Sequence, residues 1–245
     1  MDVVNTLSEL RCTEIGEAAR VLGRGMCNNP ANLQAFGIPD TERRCRALER
    51  FFIPVLHGLY HRGLIFGAFR DDALVGVCGM ARPGLCQPAV LEKLRVVPSV
   101  ALGNPIGTPL RVLKWAGEWA HRDPVEPHWH LGPVAVDPDL QGHGIGGVML
   151  TAFCALVDLC RSLSYLETDK SENVHFYQKY GFTVVGKADV LGIPNWFMSR
   201  PPGITFERGY KQCGNTRAWP AAPCGQQRPS SDSPMQPLRR HRCPS

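Results

Sequence analysis

The stretch Gln141-Gly142-His143-Gly144-Ile145-Gly146-Gly147 puts four glycines into seven residues, just ahead of an apolar helical pattern. A loop that opens a helix presents backbone N–H groups without intrahelical partners at the positive end of the helix dipole, which suits a phosphate or pyrophosphate. Glycine lets the backbone approach the anion where a Cβ would block it. A tight turn that packs a helix onto a sheet would use the same residues, so the loop alone leaves both readings open. A P-loop NTPase is disfavoured, because Gly147-Val148 stands where that motif needs Lys-Ser/Thr, and the glycine spacing also misses the dinucleotide pattern G-x-G-x-x-G.

Histidines precede the loop. Strict alternation along a strand through Trp129–Val136 puts His128, His130, Gly132 and Val134 on one face. An imidazole with a pKa near ~6.5 can take a proton at neutral pH, which makes His130 a candidate base, with Glu126 and His128 behind it. Tyr177, between Phe176 and Phe182, reads by itself as a core tyrosine. His57 and His61 lie one helical turn apart, a metal-binding spacing, but with no third ligand apparent they read as a solvated helix face, and no metal is expected. Cys154 and Cys160 read as packing residues.

These residues need a scaffold. Residues 14–26 and 41–62 read as helices, the second capped by Asp40 or Thr41 and kinked or interrupted at Pro54. Residues 64–69 and 73–80 read as a hairpin around Arg70-Asp71-Asp72, residues 83–107 as loop, and 108–122 as a helix carrying Trp115 and Trp119. After the strand and glycine loop come a buried helix to about Leu163, a strand at 165–168, a helix at 171–179 and strands at 184–190 and 195–199. Strand, loop, helix, strand, helix, strand is an α/β (α+β) pattern.

Val134-Ala135-Val136-Asp137-Pro138 followed by Gln141-Gly142-His143-Gly144-Ile145-Gly146 resembles the Q/R-x-x-G-x-G/A pyrophosphate loop of the GNAT-family acyl-CoA N-acyltransferases. Leu166-Glu167-Thr168 and Asn173 through Phe182, ending F-Y-x-x-x-G-F, are similar to that family's last motif, in the family's order. The combination H-W-x-L-G-P-V-A-V, L-E-T and W-F-M is especially similar to the puromycin N-acetyltransferase-like branch.

The resemblance covers residues 10–200 and implies the GNAT fold, a mixed, mostly antiparallel sheet flanked by helices. It implies acetyl-CoA as co-substrate, with pantetheine along Val134, Ala135 and Val136 and the pyrophosphate on Gly142, His143, Gly144, Ile145 and Gly146, Gln141 at the rim. Asn173 is implied as a further cofactor contact and Tyr177 as the acid that protonates the departing thiolate. Where several histone acetyltransferases of the family keep a basic glutamate, this chain has His130. Asn195-Trp196, with Trp115 and Trp119, would wall the acceptor pocket. The implied reaction is direct acetyl transfer to a primary amine, a small molecule on the strength of the branch. Protein N-termini, lysines, polyamines and a non-catalytic acyl-CoA-binding module are the alternatives.

The 245 residues allow one sizeable core. From Gly203 to Ser245 seven basic side chains meet two acidic ones, while residues 1–202 balance, so the formal net charge of +5 belongs to the tail. The body therefore carries no field that would favour nucleic acid or an anionic membrane, and neither is expected as a partner; the family resemblance leaves a homodimer open. A domain over 1–202 and a disordered tail over 203–245 are expected. The N-terminus shows no secretory pattern, and Cys12, Cys27, Cys45, Cys78, Cys86, Cys154 and Cys160 read as buried free thiols of a cytoplasmic protein.

Overall fold

A computed structural model describes residue 4 and residues 6–203, so the tail lies outside the described residues apart from Gly203. Seven strands form one sheet in the order β1-β2-β3-β4-β5-β7-β6. They are β1 (Thr6–Glu9), β2 (Gly63–Arg70), β3 (Ala73–Ala81), β4 (His128–Val136), β5 (Leu163–Thr168), β6 (Thr183–Val190) and β7 (Ile193–Arg200). Every neighbouring pair is antiparallel except β4 and β5, so the expected mixed, mostly antiparallel sheet is present. The β2–β3 hairpin turns on Asp71 and Asp72, both at positive φ, the conformation that matches the twist of two antiparallel strands.

Two apolar layers cover the sheet. Helices α1 (Ile15–Met26), α2 (Pro30–Phe36), α3 (Thr41–Arg62), α4 (Val90–Ala101) and α5 (Thr108–Ala120) supply the first, around Leu22, Phe36, Leu48 and Leu56. Helices α6 (Ile145–Leu159) and α7 (Ser171–Gln178) supply the second, around Phe153, Val157, Tyr177 and Phe182. Asp40 caps α3, its Oδ1 accepting from Arg43 N at 2.7 Å. The helix runs unbroken through Pro54, against the expected interruption, because packing on α1 and β2 holds both halves. Helix α4 replaces the loop expected at 83–107; Pro98 within it and Pro83, Gly84, Pro88, Gly103 and Pro105 around it hide its period. Helix α2 and strand β1 are likewise additions to the expected elements. Helix α6 is not buried all round, since Val148 and Leu159 are exposed.

Cys27, Cys45, Cys78, Cys86 and Cys154 are free thiols, but Cys12 and Cys160 are disulfide-bonded, which corrects the expectation of free thiols throughout. Among the described residues, no helix is long and apolar enough to cross a membrane.

Asp158 at the end of α6 closes the far side of the sheet. Its two oxygens accept from Arg200 Nη1 and Nη2 at 2.7 and 2.8 Å, and Oδ1 also accepts from Gly203 N at 2.6 Å. Burial alone would raise this carboxyl, but the Arg200 and Gly203 hydrogen bonds win and hold it below the usual carboxylate range. A depressed folded-state pKa adds stability above the unfolded pKa and loses it as pH falls toward the folded one. Asp158→Asn should therefore cost about 1–2 kcal/mol at pH 7, by chemical denaturation, with the gap to the unsubstituted protein closing below about pH 4.

Candidate active site

Beside β4 the sheet opens. His128, Trp129 and His130 pair in parallel with Leu163, Ser164 and Tyr165, and the shared register ends there. Further along, β4 pairs only with β3, and Leu166–Thr168 of β5 pair with β7. Asp137 N donates to Val75 O at 2.9 Å, so alternation turns the backbone groups of Ala135 toward β3 and those of Val134 and Val136 into the opening. The Gln141 side chain occupies the Val136 carbonyl, Nε2 donating at 3.1 Å, and is thus folded back onto the strand rather than spread along the loop rim.

A bulge lies at the fork. Met80 faces Leu131 and Cys78 faces Val134, so Gly132 and Pro133 together oppose the single residue Gly79. A Cβ on Gly79 would stand 3.0 Å from Pro133 Cδ and 3.1 Å from the Gly132 oxygen, so the bulge depends on that glycine. The extra residue inverts the alternation. Trp129, Leu131, Val134 and Val136 pack on the α6/α7 side, while Ala135 packs with the α1–α5 layer. His128 and His130 therefore do not share a face with Val134, contrary to strict alternation.

At the mouth of the opening the chain turns through Gly142 and Gly144, with φ of 79° and 86°, into α6. The first N–H of this segment drawn into the helix is that of Val148, donating to Gly144 O at 3.1 Å; among the described residues, those of 142–147 have no backbone partner. A Cβ on Gly142 or Gly144 would meet nothing within 4 Å, so the space above the loop is open. Free donors, a helix N-terminus and room for a ligand against bare backbone fit a pyrophosphate. His143 lies exposed on the loop, its ring held to Gln141 O at 3.0 Å.

Tyr177 packs between Phe176 and Phe182 on the same side of the sheet as Val134 and Val136. Burial pushes its pKa up, with Cys78 and Asp169 adding to the rise, so the phenol is fully protonated at neutral pH. Asn173 is committed to the turn, its Nδ2 donating to Thr168 Oγ1 at 3.2 Å.

On the opposite side His130 is held at both nitrogens, Nδ1 by Asp123 Oδ1 at 3.2 Å and Nε2 by Glu167 Oε2 at 2.9 Å. Burial would lower its pKa, but Glu167 and Asp123 overrule it and raise it well above the ordinary value. With both ring nitrogens engaged by carboxylates, the imidazole is not open to an incoming amine, which speaks against the expected role of base. His128 is 2% exposed, with Nδ1–H donating to Glu126 O at 2.7 Å and Nε2 against Asp123 Oδ1 at 3.1 Å. It is sealed from any acceptor, and of Glu126 it is the backbone carbonyl that is engaged. Burial would lower the His128 pKa too, but the hydrogen bonds to Asp123 and Cys86 lead a rise to about 10. Trp196 faces the α6/α7 layer under Lys187, whereas Asn195 and Phe197 face α5, meeting Trp119 Nε1 at 3.0 Å and Arg122. Asn195, not Trp196, therefore joins Trp119 on the α5 side of the sheet. Cys86, Asp123 and Glu167, which complete the cluster around His130, carried no assigned role in the sequence.

Residues 103–184 match the family model described as an acetyltransferase (GNAT) domain. The match spans about a third of the chain and marks it as an acyltransferase. The fold around it is similar to that of the histone acetyltransferase HPA2 and related acetyltransferase from Corynebacterium glutamicum, at 20% identity and a TM-score of 0.61, over 82% of this chain and 98% of that one. An agmatine N-acetyltransferase variant in its apo form is similar at 15% identity and a TM-score of 0.51, over 80% and 98%. The acetyltransferase domain takes in the glycine loop, the fork of β4 and β5 and Tyr177.

Proposed function

We propose that the chain transfers an acetyl group from acetyl-CoA to a primary amine, by direct attack within a ternary complex. The observation that carries the reading is the fork of β4 and β5, with bare backbone at Val134, open glycines at its mouth and a protonated Tyr177 on the same side of the sheet. Acetyl-CoA supplies an activated thioester. The N–H groups of Gly142, Gly144, Ile145 and Gly146 hold its pyrophosphate, and Val134 pairs with its pantetheine arm. Tyr177 gives its phenolic proton to the thiolate that leaves. His130 takes no proton in this scheme, and the incoming ammonium loses its own to water.

The acceptor is a small-molecule amine, supported by the likeness to the puromycin N-acetyltransferase-like branch and by a body without net charge over residues 1–202. Agmatine, named for one protein of this fold, is such an amine. Residues 1–202 form the catalytic unit and the tail has no part in it. The test is thermal unfolding with acetyl-CoA against ATP and NAD, followed by thiol release with a panel of amines. A hundredfold excess of acetyl-CoA over its dissociation constant should stabilise the fold by about 2.7 kcal/mol, with no shift from the controls. Release with small amines upholds the reading, release with peptides alone moves the acceptor to protein, and binding without turnover of any amine leaves a non-catalytic module.

A further inference from the structure

Cys86 Sγ, Asp123 Oδ, His128 Nε2 and His130 Nδ1 belong to three separate segments, yet their donor atoms all lie within 4.8 Å of one another. Each of the three harder ligands is fixed from outside. Gln87 Nε2 donates to Asp123 Oδ2 at 2.8 Å, His128 Nδ1–H donates to Glu126 O, and His130 Nε2–H donates to Glu167 Oε2. Outer hydrogen bonds of this kind set the tautomer and aim the remaining lone pairs of metal-bound histidines. They turn His128 Nε2 and His130 Nδ1 toward the same Asp123 oxygen, at 3.1 and 3.2 Å. Two ring lone pairs facing one carboxylate oxygen need a cation between them, either a proton on each ring or one metal ion.

We propose that Cys86, Asp123, His128 and His130 bind one divalent metal ion of the zinc class in a tetrahedral S, O, N, N site. Bonds of about 2.0–2.3 Å put tetrahedral ligands about 3.3–3.6 Å apart, so the cluster needs only a modest contraction at its widest pair. Thiolate and carboxylate cancel the charge of the ion, and four protein ligands make the site closed and structural. It ties the loop after β3 and the loop after α5 to the start of β4, immediately before the fork. The expectation of no metal rested on His57 and His61 alone.

The site stands independently of the acyl donor, and so does its test. The full chain, purified without a histidine tag, should retain about one zinc per chain after dialysis and take up cobalt(II) with a thiolate-to-metal charge-transfer band. Cys86→Ser should abolish that band and Cys27→Ser should keep it, which separates the site from the other thiols. His128→Gln, which preserves an outer hydrogen bond, should lose the zinc as well, with a cooperative melt showing that each variant folds. Added zinc at a hundredfold excess should raise the melting midpoint of the metal-free chain by roughly 5–10 °C and leave that of His128→Gln unmoved. Substoichiometric zinc in the unsubstituted chain, or a cobalt spectrum unchanged in Cys86→Ser, overturns the proposal.

Discussion

Tyr177→Phe should lower kcat by about 10²- to 10⁴-fold while leaving acetyl-CoA affinity nearly unchanged, because it removes one proton donor and little else. The ring keeps its contacts with Phe176 and Phe182 when only the hydroxyl is removed. Stability should therefore change by less than about 1 kcal/mol. Burial keeps the phenol protonated through the neutral range, as an acid must be. Single-turnover rates and acetyl-CoA titration of the same preparation separate the two effects. A turnover number that survives the substitution would remove Tyr177 from the chemistry.

Gly144→Ala should weaken acetyl-CoA binding by about 10- to 100-fold, the scale of losing charge-assisted hydrogen bonds to one anionic group. Two effects have to be separated. Gly144 has a φ of 86°, where an L side chain costs about 1–2 kcal/mol whatever surrounds it. The new Cβ would touch no protein atom within 4 Å, so the rest of its effect falls on whatever occupies the loop. Gly192, in the turn between β6 and β7, provides the control: its φ is 78° and a Cβ there also meets nothing. Gly192→Ala should lose similar stability and bind acetyl-CoA normally. Equal affinity losses in the two variants would reduce the glycine loop to a turn.

The reactions of the two sides of the sheet differ in what they require of the chain. On the α6/α7 side, the proposed donor site uses bare backbone and one phenol. On the α5 side, carboxylates and histidines are locked to one another, so His130 orders the site instead of exchanging protons with an acceptor.

How much of this was legible in the chain depends on how local each feature is. The hairpin at Asp71-Asp72, the Asp40 cap, the glycine loop with its helix and the order of the last strands follow from neighbours within a few residues, and the sequence by itself determined them. The open glycine turn was likewise legible, because Gly142 and Gly144 stand together just ahead of an apolar helical pattern. The tertiary structure decided the rest. Whether residue 134 shares a face with residue 130 turns on one bulge opposite Gly79, a pairing between strands about 50 residues apart that no periodicity within β4 records. His130 looks like a free imidazole until Asp123 and Glu167 are brought to its two nitrogens. The four donor atoms near β4 gather only because the β3–α4 loop folds back on the α5–β4 loop, placing Cys86 beside residues some 40 positions later. Local spacing fixes which backbone is offered to a ligand; long-range packing fixes which side chains are left free to act.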